Sequence, residues 1–303
     1  MSSETQDLAA SALSKGSKSF HFASLFFPRD LQVGAAQVYY WCRHCDDLVD
    51  EAVINSENLP ELVQTTLKIW DDGCEELDPP FLAMRQAVRT HRIPKEYLID
   101  LLLGMKMDLS QTVYSEEKLL DLYCYRVAGT VGLMMCHIMG VFKIEALDQA
   151  VKLGKAMQLT NIARDIMEDS KLGRVYLPLT WLQEEGLTHE TYLYPENRPA
   201  LFRVTRRLLE VAESYYQEGM RGISELPFRA AFVIAIAANF YREIGREILR
   251  RGEPALETRV VVGRFRKAFL LLKSIIHFAK SVPGRIMDAR KLITIDQVWR
   301  PVA

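Results

Sequence analysis

The sequence lacks the short motifs that mark most nucleotide-binding and hydrolytic enzymes. No two glycines stand two residues apart, so neither a GxGxxG dinucleotide fingerprint nor any other GxG phosphate loop is present, and no Walker lysine motif occurs. There is no GxSxG nucleophile elbow, and no histidine follows an acidic residue by three positions, as in di-iron bundles. Metal-assisted chemistry at carboxylates survives this elimination.

Cysteine is scarce. The chain has five cysteines, an odd number that disfavours a disulfide framework. Cys42 and Cys45 form a CxxC pair, but no second pair accompanies it and His44 lies inside it. We interpret these cysteines as small apolar helix residues rather than as a redox or zinc site.

Net charge and long apolar runs are also missing. Thirty-eight basic residues oppose 39 acidic ones, giving a net charge of −1, which offers no electrostatic basis for nucleic-acid binding. Residues 1–16 lack the apolar core of a signal peptide. The longest uncharged apolar run, 230–238, is less than half of the ~20 residues that span a bilayer. We therefore expect a cytoplasmic protein without a membrane-spanning segment.

Alternating β-type patterns are scarce, and helical periodicity runs through most of the chain. The 12 prolines fall mostly where a helix should begin or end. The pattern predicts one all-α domain over 1–303, a helical bundle with an N-terminal segment 1–15 and a C-terminal tail 283–303. The predicted helices lie near 30–53, 59–72, 80–91, 95–110, 116–140, 144–170, 200–220, 228–251 and 262–281.

Two acidic clusters stand 119 residues apart at helical spacing. Asp46 and Asp50 are four residues apart, as are Asp165 and Asp169, so each pair shares one side of a helix. Such like-charge pairs destabilise a helix by roughly 0.2–0.5 kcal/mol each. A divalent cation is the simplest compensation, because Mg2+ bridges carboxylates to substrate phosphates.

Each acidic pair continues a polar stripe on an otherwise apolar helix. Tyr39 and Arg43 precede the first pair; Gln158 and Asn161 precede the second, with Arg164 beside it and Glu168 within it. For one helix, a solvated face is the simpler interpretation. Two matching stripes favour a shared cavity for metal and diphosphate instead.

Glycines and basic residues carry weaker signals. Gly129 and Gly132 lie within a helical pattern at a cost of about 1 kcal/mol each, for which close helix packing and passage of a substrate are equally good explanations. A cluster of basic residues is most often simply a solvated surface, although some of these residues would also suit the binding of a diphosphate. The basic residues are Lys15, Lys18, Arg259, Arg264, Arg266 and Lys267.

Taken together, these stretches resemble the squalene/phytoene synthase family of head-to-head prenyl-coupling enzymes, over about 16–273. The matching stretches are 17–20, 40–50, 127–132, 158–169 and 173–178. The resemblance implies an isoprenoid synthase fold, a helical bundle around a central cavity. It also implies coupling of two prenyl diphosphates through a cyclopropylcarbinyl diphosphate.

Carried over position by position, the resemblance implies a role for each matched residue. The metal ligands, for Mg2+ or alternatively Mn2+, would be Asp46, Asp50, Asn161, Asp165 and Asp169, with Glu168 as a helper. Phosphate oxygens would be bound by Ser19, Arg43, Arg164, Arg259 and Lys267. The carbocation pocket would be lined by Tyr39, Phe20, Tyr123, Gln158, Tyr176 and Tyr241, and the prenyl tunnel by Ala128, Val131 and Gly132.

The sequences of residues 41–45, 161–165 and 176–181 are most similar to those of bacterial members of the family. These members join two geranylgeranyl diphosphates into 15-cis-phytoene, the first carotenoid step. The resemblance implies no NAD(P)H, which squalene formation would consume. Because the products are insoluble hydrocarbons, we expect peripheral contact with the surface of the inner membrane. A downstream desaturase would be a natural partner, and the sequence carries no signal for it.

Two alternatives stay open. The chain could join two farnesyl diphosphates into dehydrosqualene, squalene or hydroxysqualene. It could also be a non-catalytic helical protein that binds prenyl lipids and keeps the acidic stripes for structural reasons.

Overall fold

The computed structural model describes residues 3–16, 24–51, 53–55, 57–74, 76–110, 113–261, 263, 266 and 271, and these contain no β-strand. The chain divides into a unit over 1–262, which contains every helix named below, and a unit over 263–303. The helices are α1 Ser3–Gly16, α2 Arg29–Asp50, α3 Leu59–Leu67, α4 Pro79–His91, α5 Lys95–Leu109, α6 Glu117–Cys124, α7 Thr130–Ile138, α8 Ile144–Lys171, α9 Leu179–Glu184, α10 Arg198–Gly219 and α11 Phe228–Arg251.

The prolines mark helix starts, as the pattern predicts. Pro28, Pro94, Pro178 and Pro227 stand immediately before α2, α5, α9 and α11. Proline fits there because a helix start does not need the N–H that proline lacks, and because its ring holds its own φ at a value that the start of a helix accepts. The all-α prediction is confirmed, while the helix expected at 262–281 lies outside the described residues except at 263, 266 and 271.

The 28-residue helix α8 lies at the centre of the first unit. It packs against α10, α7, α11 and the turn that precedes α7. Its buried side chains belong to the main apolar core, and several of its cavity-facing positions are small. This central placement puts the second acidic cluster at one end of a helix that is buried on one face and partly covered on the others.

The predicted helix at 116–140 is interrupted. Residues Tyr125–Gly129 form a π-helical turn between α6 and α7, and the Thr130 hydroxyl donates to the Arg126 carbonyl oxygen at 2.6 Å. A π turn widens the helix by one residue and is frequent at functional sites. By length and apolarity alone, Glu117–Ile138 would suffice to cross a bilayer, but half of its apolar window is buried in the fold.

Candidate active site

The first polar stripe lies on the C-terminal half of α2. Arg43 pairs with Asp46 at 3.2 Å and with Asp47, so one guanidinium bridges two carboxylates of the same helix. Tyr39 is partly buried one turn earlier, and burial raises the pKa of its phenol. Tyr39 also interacts electrostatically with Arg43 and with Tyr241 of α11.

The second stripe lies at the C-terminal end of α8, where the helix is distorted. Asp165 has φ −109° and ψ 16°, outside helical values, in an otherwise regular helix. Its carboxylate accepts hydrogen bonds from Arg164 Nε at 2.8 Å and from Arg259 Nε at 2.9 Å. Two arginines therefore converge on the residue at which the helix kinks, which is a departure typical of functional sites.

The two stripes meet at a residue pair that the sequence reasoning did not assign. Arg174, just after α8, donates to Asp50 Oδ1 at 2.7 Å. Asp108, near the end of α5, interacts electrostatically with Arg174, with both carboxylates of the first stripe and with Asp169 of the second. The structure thus brings both acidic pairs to one crevice, with Asp108 and Arg174 between them.

Asp108 also organises two tyrosines. It accepts hydrogen bonds from the Tyr176 hydroxyl at 2.7 Å and the Tyr123 hydroxyl at 3.1 Å. The two rings stack with centroids 4.8 Å apart, and Tyr114 packs against both. Tyr123 and Tyr176 are buried here rather than along the apolar cavity described below. The signal for Asp108 was a carboxylate that directly follows two buried methionines, Met105 and Met107.

Burial and neighbouring charges shift the pKa values of the carboxylates in the crevice. Burial, followed by repulsion from Asp50, raises the pKa of Asp46 to about 6. Burial and then Asp165 raise the pKa of Asp169 to about 7, and burial raises that of Asp108 to about 6. At Asp165, burial is outweighed by the hydrogen bond from Arg164, and the pKa is lowered. Asp46, Asp108 and Asp169 therefore ionise less readily than ordinary carboxyls in the absence of a bound cation.

A divalent cation fits this donor set. Hard cations take oxygen ligands, and the crevice offers carboxylates from two helices. Asn161, one turn before Asp165, has a buried side-chain oxygen without a hydrogen-bond partner, which is the kind of orphaned acceptor that a ligand would satisfy. Within the described part of the chain, no three His, Cys, Asp or Glu side chains converge closely enough to form a cage of their own. The arrangement suits an ion whose remaining ligands are water and phosphate.

An apolar cavity begins beside this crevice. Gln158, Asn161 and Tyr241 line it at the polar end, and Tyr241 interacts electrostatically with Arg164. The cavity follows α8 back to Ala146, fifteen residues or about 22 Å along the helix axis from Asn161. The remaining lining is almost entirely aliphatic and includes Ala128, Val131, Gly132, Met135, Met139, Ala150, Met157 and Leu226.

Small residues shape the wall of this cavity. A Cβ on Gly132 would lie 2.6 Å from the Ala150 carbonyl oxygen, and one on Gly154 would lie 2.5 Å from that of Ala128. Gly132 and Gly154 therefore allow α8 to approach both α7 and the π turn, and both also line the cavity. The structure shows close packing at Gly132, which also lines the cavity, and the passage of a substrate there stays a prediction.

The remaining sequence-assigned residues divide into two groups. Arg43, Arg164 and Arg259 all lie at the acidic crevice, and Glu168 interacts electrostatically with Asp169. Ser19, Phe20 and Lys267 lie outside the described residues.

A profile of the squalene/phytoene synthase family matches residues 13–266. The chain belongs to the squalene/phytoene synthase family. Among its similar relatives in the family is a 15-cis-phytoene synthase of Enterobacter agglomerans, 43% identical over 297 residues that cover 95% of this chain and 99% of that protein. Another is a 15-cis-phytoene synthase of Pantoea ananas, 41% identical, with 87% and 89% covered.

Solved structures agree with this membership. A dehydrosqualene synthase superimposes with a TM-score of 0.83 at 28% identity, covering 91% of this chain and 97% of that one. A squalene synthase of Alicyclobacillus acidocaldarius gives a TM-score of 0.74 at 25% identity, covering 82% and 94%. The isoprenoid synthase fold is confirmed. As a member of the squalene/phytoene synthase family, the chain is a prenyltransferase-type enzyme that uses prenyl diphosphates and, like the family in general, a divalent metal.

Proposed function

We propose that the protein is a Mg2+-dependent phytoene synthase, which joins two geranylgeranyl diphosphates head to head into 15-cis-phytoene and releases two diphosphates. The observation that carries this proposal is the contact between the acidic crevice and the apolar cavity at Gln158, Asn161 and Tyr241. A diphosphate head and a long prenyl tail need these two environments side by side. The names of the bacterial relatives support the C40 product.

The crevice residues suit the ionisation of an allylic diphosphate. Asp46, Asp50, Asp165, Asp169 and Asn161 would hold Mg2+. When bound, the metal would neutralise the leaving diphosphate without proton transfer. Four arginines form ion pairs with these aspartates and would be close to phosphate oxygens bound there, namely Arg43, Arg164, Arg174 and Arg259.

The cavity residues suit the carbocation that follows. Tyr241 lines the cavity and interacts with Tyr39, and the ring face of each would attract a cation by about 0.5–2 kcal/mol. The aliphatic walls exclude water, which would otherwise quench the cation. After the first diphosphate leaves, the double bond of the second molecule attacks, and proton loss gives the cyclopropylcarbinyl diphosphate. Loss of the second diphosphate, rearrangement and loss of a further proton then give phytoene.

The length of the cavity favours the longer substrate. The distance of about 22 Å from Asn161 to Ala146 suits an extended C20 chain and exceeds what a C15 chain needs. The second candidate is a C30 synthase acting on farnesyl diphosphate, which the likeness to a dehydrosqualene synthase supports.

Incubation with radiolabelled geranylgeranyl or farnesyl diphosphate and Mg2+ separates the candidates. We expect C40 hydrocarbon from the first substrate and little product from the second. Predominantly C30 hydrocarbon would replace the proposal with the second candidate. Absence of turnover with both would support a prenyl-lipid-binding protein.

A further inference from the structure

Arg174 lies between the two acidic stripes and belongs to neither of them. It follows the end of α8 by three residues, and its Nη2 donates to Asp50 Oδ1 of α2 at 2.7 Å. The side chain of Arg174 is 17% exposed, so water and salt screen its charge only in part. This ion pair joins the end of the first stripe to the segment that follows the second.

The backbone fixes the position from which this side chain extends. The chain turns after α8 at Gly173, whose φ of 72° lies in the left-handed region that glycine adopts without strain. The N–H of Arg174 then donates to the carbonyl oxygen of Asp169 at 3.0 Å. Arg174 therefore contacts one acidic residue of the second stripe through its backbone and one of the first stripe through its guanidinium.

Three carboxylates surround the guanidinium of Arg174. It pairs with Asp50 and interacts electrostatically with Asp108 and with Asp169. Arg43 is placed differently, since both carboxylates that it pairs with belong to its own helix. Among the ion pairs of the described residues, that of Arg174 is the one that links the first stripe to the segment after α8.

The charge of Arg174 should affect a metal ion and a diphosphate in opposite directions. Charges a few ångströms apart interact strongly in a crevice that is partly shielded from water. The guanidinium therefore opposes the binding of Mg2+ at Asp50 in the free protein, and its hydrogen bond occupies Asp50 Oδ1. It favours a diphosphate, because guanidinium groups donate charge-assisted hydrogen bonds to phosphate oxygens. One side chain can thus disfavour the metal alone and favour the metal together with diphosphate.

We propose that Arg174 is a positioning residue that makes metal binding at Asp50 depend on diphosphate. In the free protein the guanidinium holds Asp50. When diphosphate is bound, the guanidinium donates to phosphate oxygens instead and leaves Asp50 to bind Mg2+. The identity of the two ligands rests on the proposed function, whereas the coupling between them and its assignment to Arg174 go beyond it. The crevice would then take up the metal with its substrate rather than before it.

Two binding measurements on the full chain test this coupling without turnover. Isothermal titration with Mg2+ alone gives the affinity of the free protein for the metal. Equilibrium dialysis with radiolabelled inorganic diphosphate, with and without free Mg2+, gives the factor by which the metal strengthens diphosphate binding. Because the coupling between two ligands is reciprocal, diphosphate strengthens metal binding by the same factor.

Arg174→Gln removes the charge while keeping a polar side chain. We expect this variant to bind Mg2+ alone at least about five-fold more tightly than the wild type, and diphosphate with Mg2+ at least about five-fold more weakly. The coupling factor should decrease. Arg174→Lys keeps the charge and should bind Mg2+ alone as the wild type does. If Arg174→Gln does not fold, Arg174→Met, which keeps an unbranched stem, makes the same test.

Arg242→Gln is the matched control. The side chain of Arg242, on α11, is 18% exposed and pairs with Glu213, so it resembles Arg174 in burial and in bonding to a carboxylate. That pair lines a separate cavity between α10 and α11. The control variant should bind Mg2+ and diphosphate as the wild type does. It separates the loss of a largely buried ion pair from the loss of the charge beside Asp50.

An Arg174→Gln variant that binds Mg2+ alone no more tightly than the wild type would overturn the proposal. Wild-type protein that binds Mg2+ equally well with and without diphosphate would overturn it as well, whatever the variants do. Wild-type protein that binds neither ligand would also contradict the metal assignment of the proposed function. Coupling that depends on Arg174 in a chain that makes no C40 hydrocarbon would disprove the proposed product and leave the role of Arg174 intact.

Discussion

At the scale of single residues, the acidic crevice combines groups whose roles are separable by substitution. Asp46 and Asp169 belong to different helices, and each has a raised pKa because it is buried and, second, because a like charge lies nearby. Asp165 differs, since two arginines hold it and lower its pKa. The crevice therefore combines one carboxylate that two arginines hold in its charged form with two carboxylates that ionise less readily than usual.

Asp46→Asn and Asp169→Asn should each lower kcat/KM by about 10²–10³-fold, since each removes a charge that stabilises the bound diphosphate. Product formation from labelled substrate at saturating Mg2+ measures this. Asp148→Asn is the control, because Asp148 lies on α8 as well but pairs with Lys152 at the surface. Wild-type rates in either crevice variant would contradict the metal assignment.

The raised pKa values predict a pH dependence of both activity and stability. Metal binding needs the deprotonated carboxylates, so activity should fall as the pH decreases through about 7 to about 6. Stability should change in the opposite direction. Between the unfolded pKa of 3.8 and these raised values, the folded state holds protons that the unfolded chain releases, so these groups stabilise the fold less as the pH rises.

Thermal unfolding of metal-free protein between about pH 5 and pH 8 tests this sign. We expect Tm to decrease with rising pH over this range, and Mg2+ with inorganic diphosphate to raise it most at the alkaline end. Asp165 contributes with the opposite sign, but its lowered pKa places that contribution below the range. A Tm that rises steadily from about pH 5 to pH 8 would be incompatible with the shifts.

Asp108→Asn should move the acidic limb of the pH–activity profile to lower pH. The substitution removes a negative charge that raises the pKa of both Asp46 and Asp169. Asp100→Asn is the control on the same helix, since Asp100 also accepts a tyrosine hydroxyl, that of Tyr125 at 2.9 Å. If both variants keep the wild-type profile, Asp108 has no electrostatic influence on the crevice.

At the scale of elements, the long helices could be predicted from the sequence, whereas their interruptions could not. Prolines before α2, α5 and α11 and the apolar periodicity between them predicted these helices closely. The π turn at Tyr125–Gly129 and the kink at Asp165 remained hidden, because helical periodicity survives a single inserted residue or one distorted φ/ψ pair. Both depend on what packs against the helix, which periodicity does not report.

Gly154→Ala tests the close approach of α8 and the π turn. The added Cβ would lie 2.5 Å from the Ala128 carbonyl oxygen, so backbone must move, and overpacking of this kind costs about 1–3 kcal/mol. Chemical denaturation measures the free energy of unfolding. Gly73→Ala is the control, because its Cβ would meet only a side-chain oxygen at 3.4 Å. Equal stability of the two variants would mean that the contact is not tight.

At the scale of the whole molecule, the acidic crevice is a product of tertiary structure. The sequence predicted that both stripes would share one site, and the structure brings them together through α5 and the segment after α8. Neither Asp108 nor Arg174 shares a helix with the first stripe, so no helical spacing could connect them to it. Helical spacing also does not report the carbon-chain length of the substrate, because this length depends on the depth of a cavity built from α7, α8, α11 and the turn before α11.

Ala146→Phe should shorten the preferred substrate. A phenyl ring at this position would fill the far end of the cavity while leaving the crevice, fifteen residues away along α8, unchanged. We expect C40 formation to fall and C30 formation from farnesyl diphosphate to rise or persist, as measured by product chromatography. Glu145→Phe, at the neighbouring exposed position, is the control and should keep the C40 product. Equal loss of both products in Ala146→Phe would point to misfolding rather than to a change in length.

Because α8 carries the aspartates proposed to bind metal at one end and lines the cavity along the rest, each position on this helix corresponds to a distance along a bound prenyl tail. One helical turn advances about 5.4 Å, close to the span of a single isoprene unit. Bulky side chains introduced at successive turns of α8 would therefore shorten the cavity in steps of about one isoprene unit. New product sizes could evolve by single substitutions on this helix without any change to the ionising machinery.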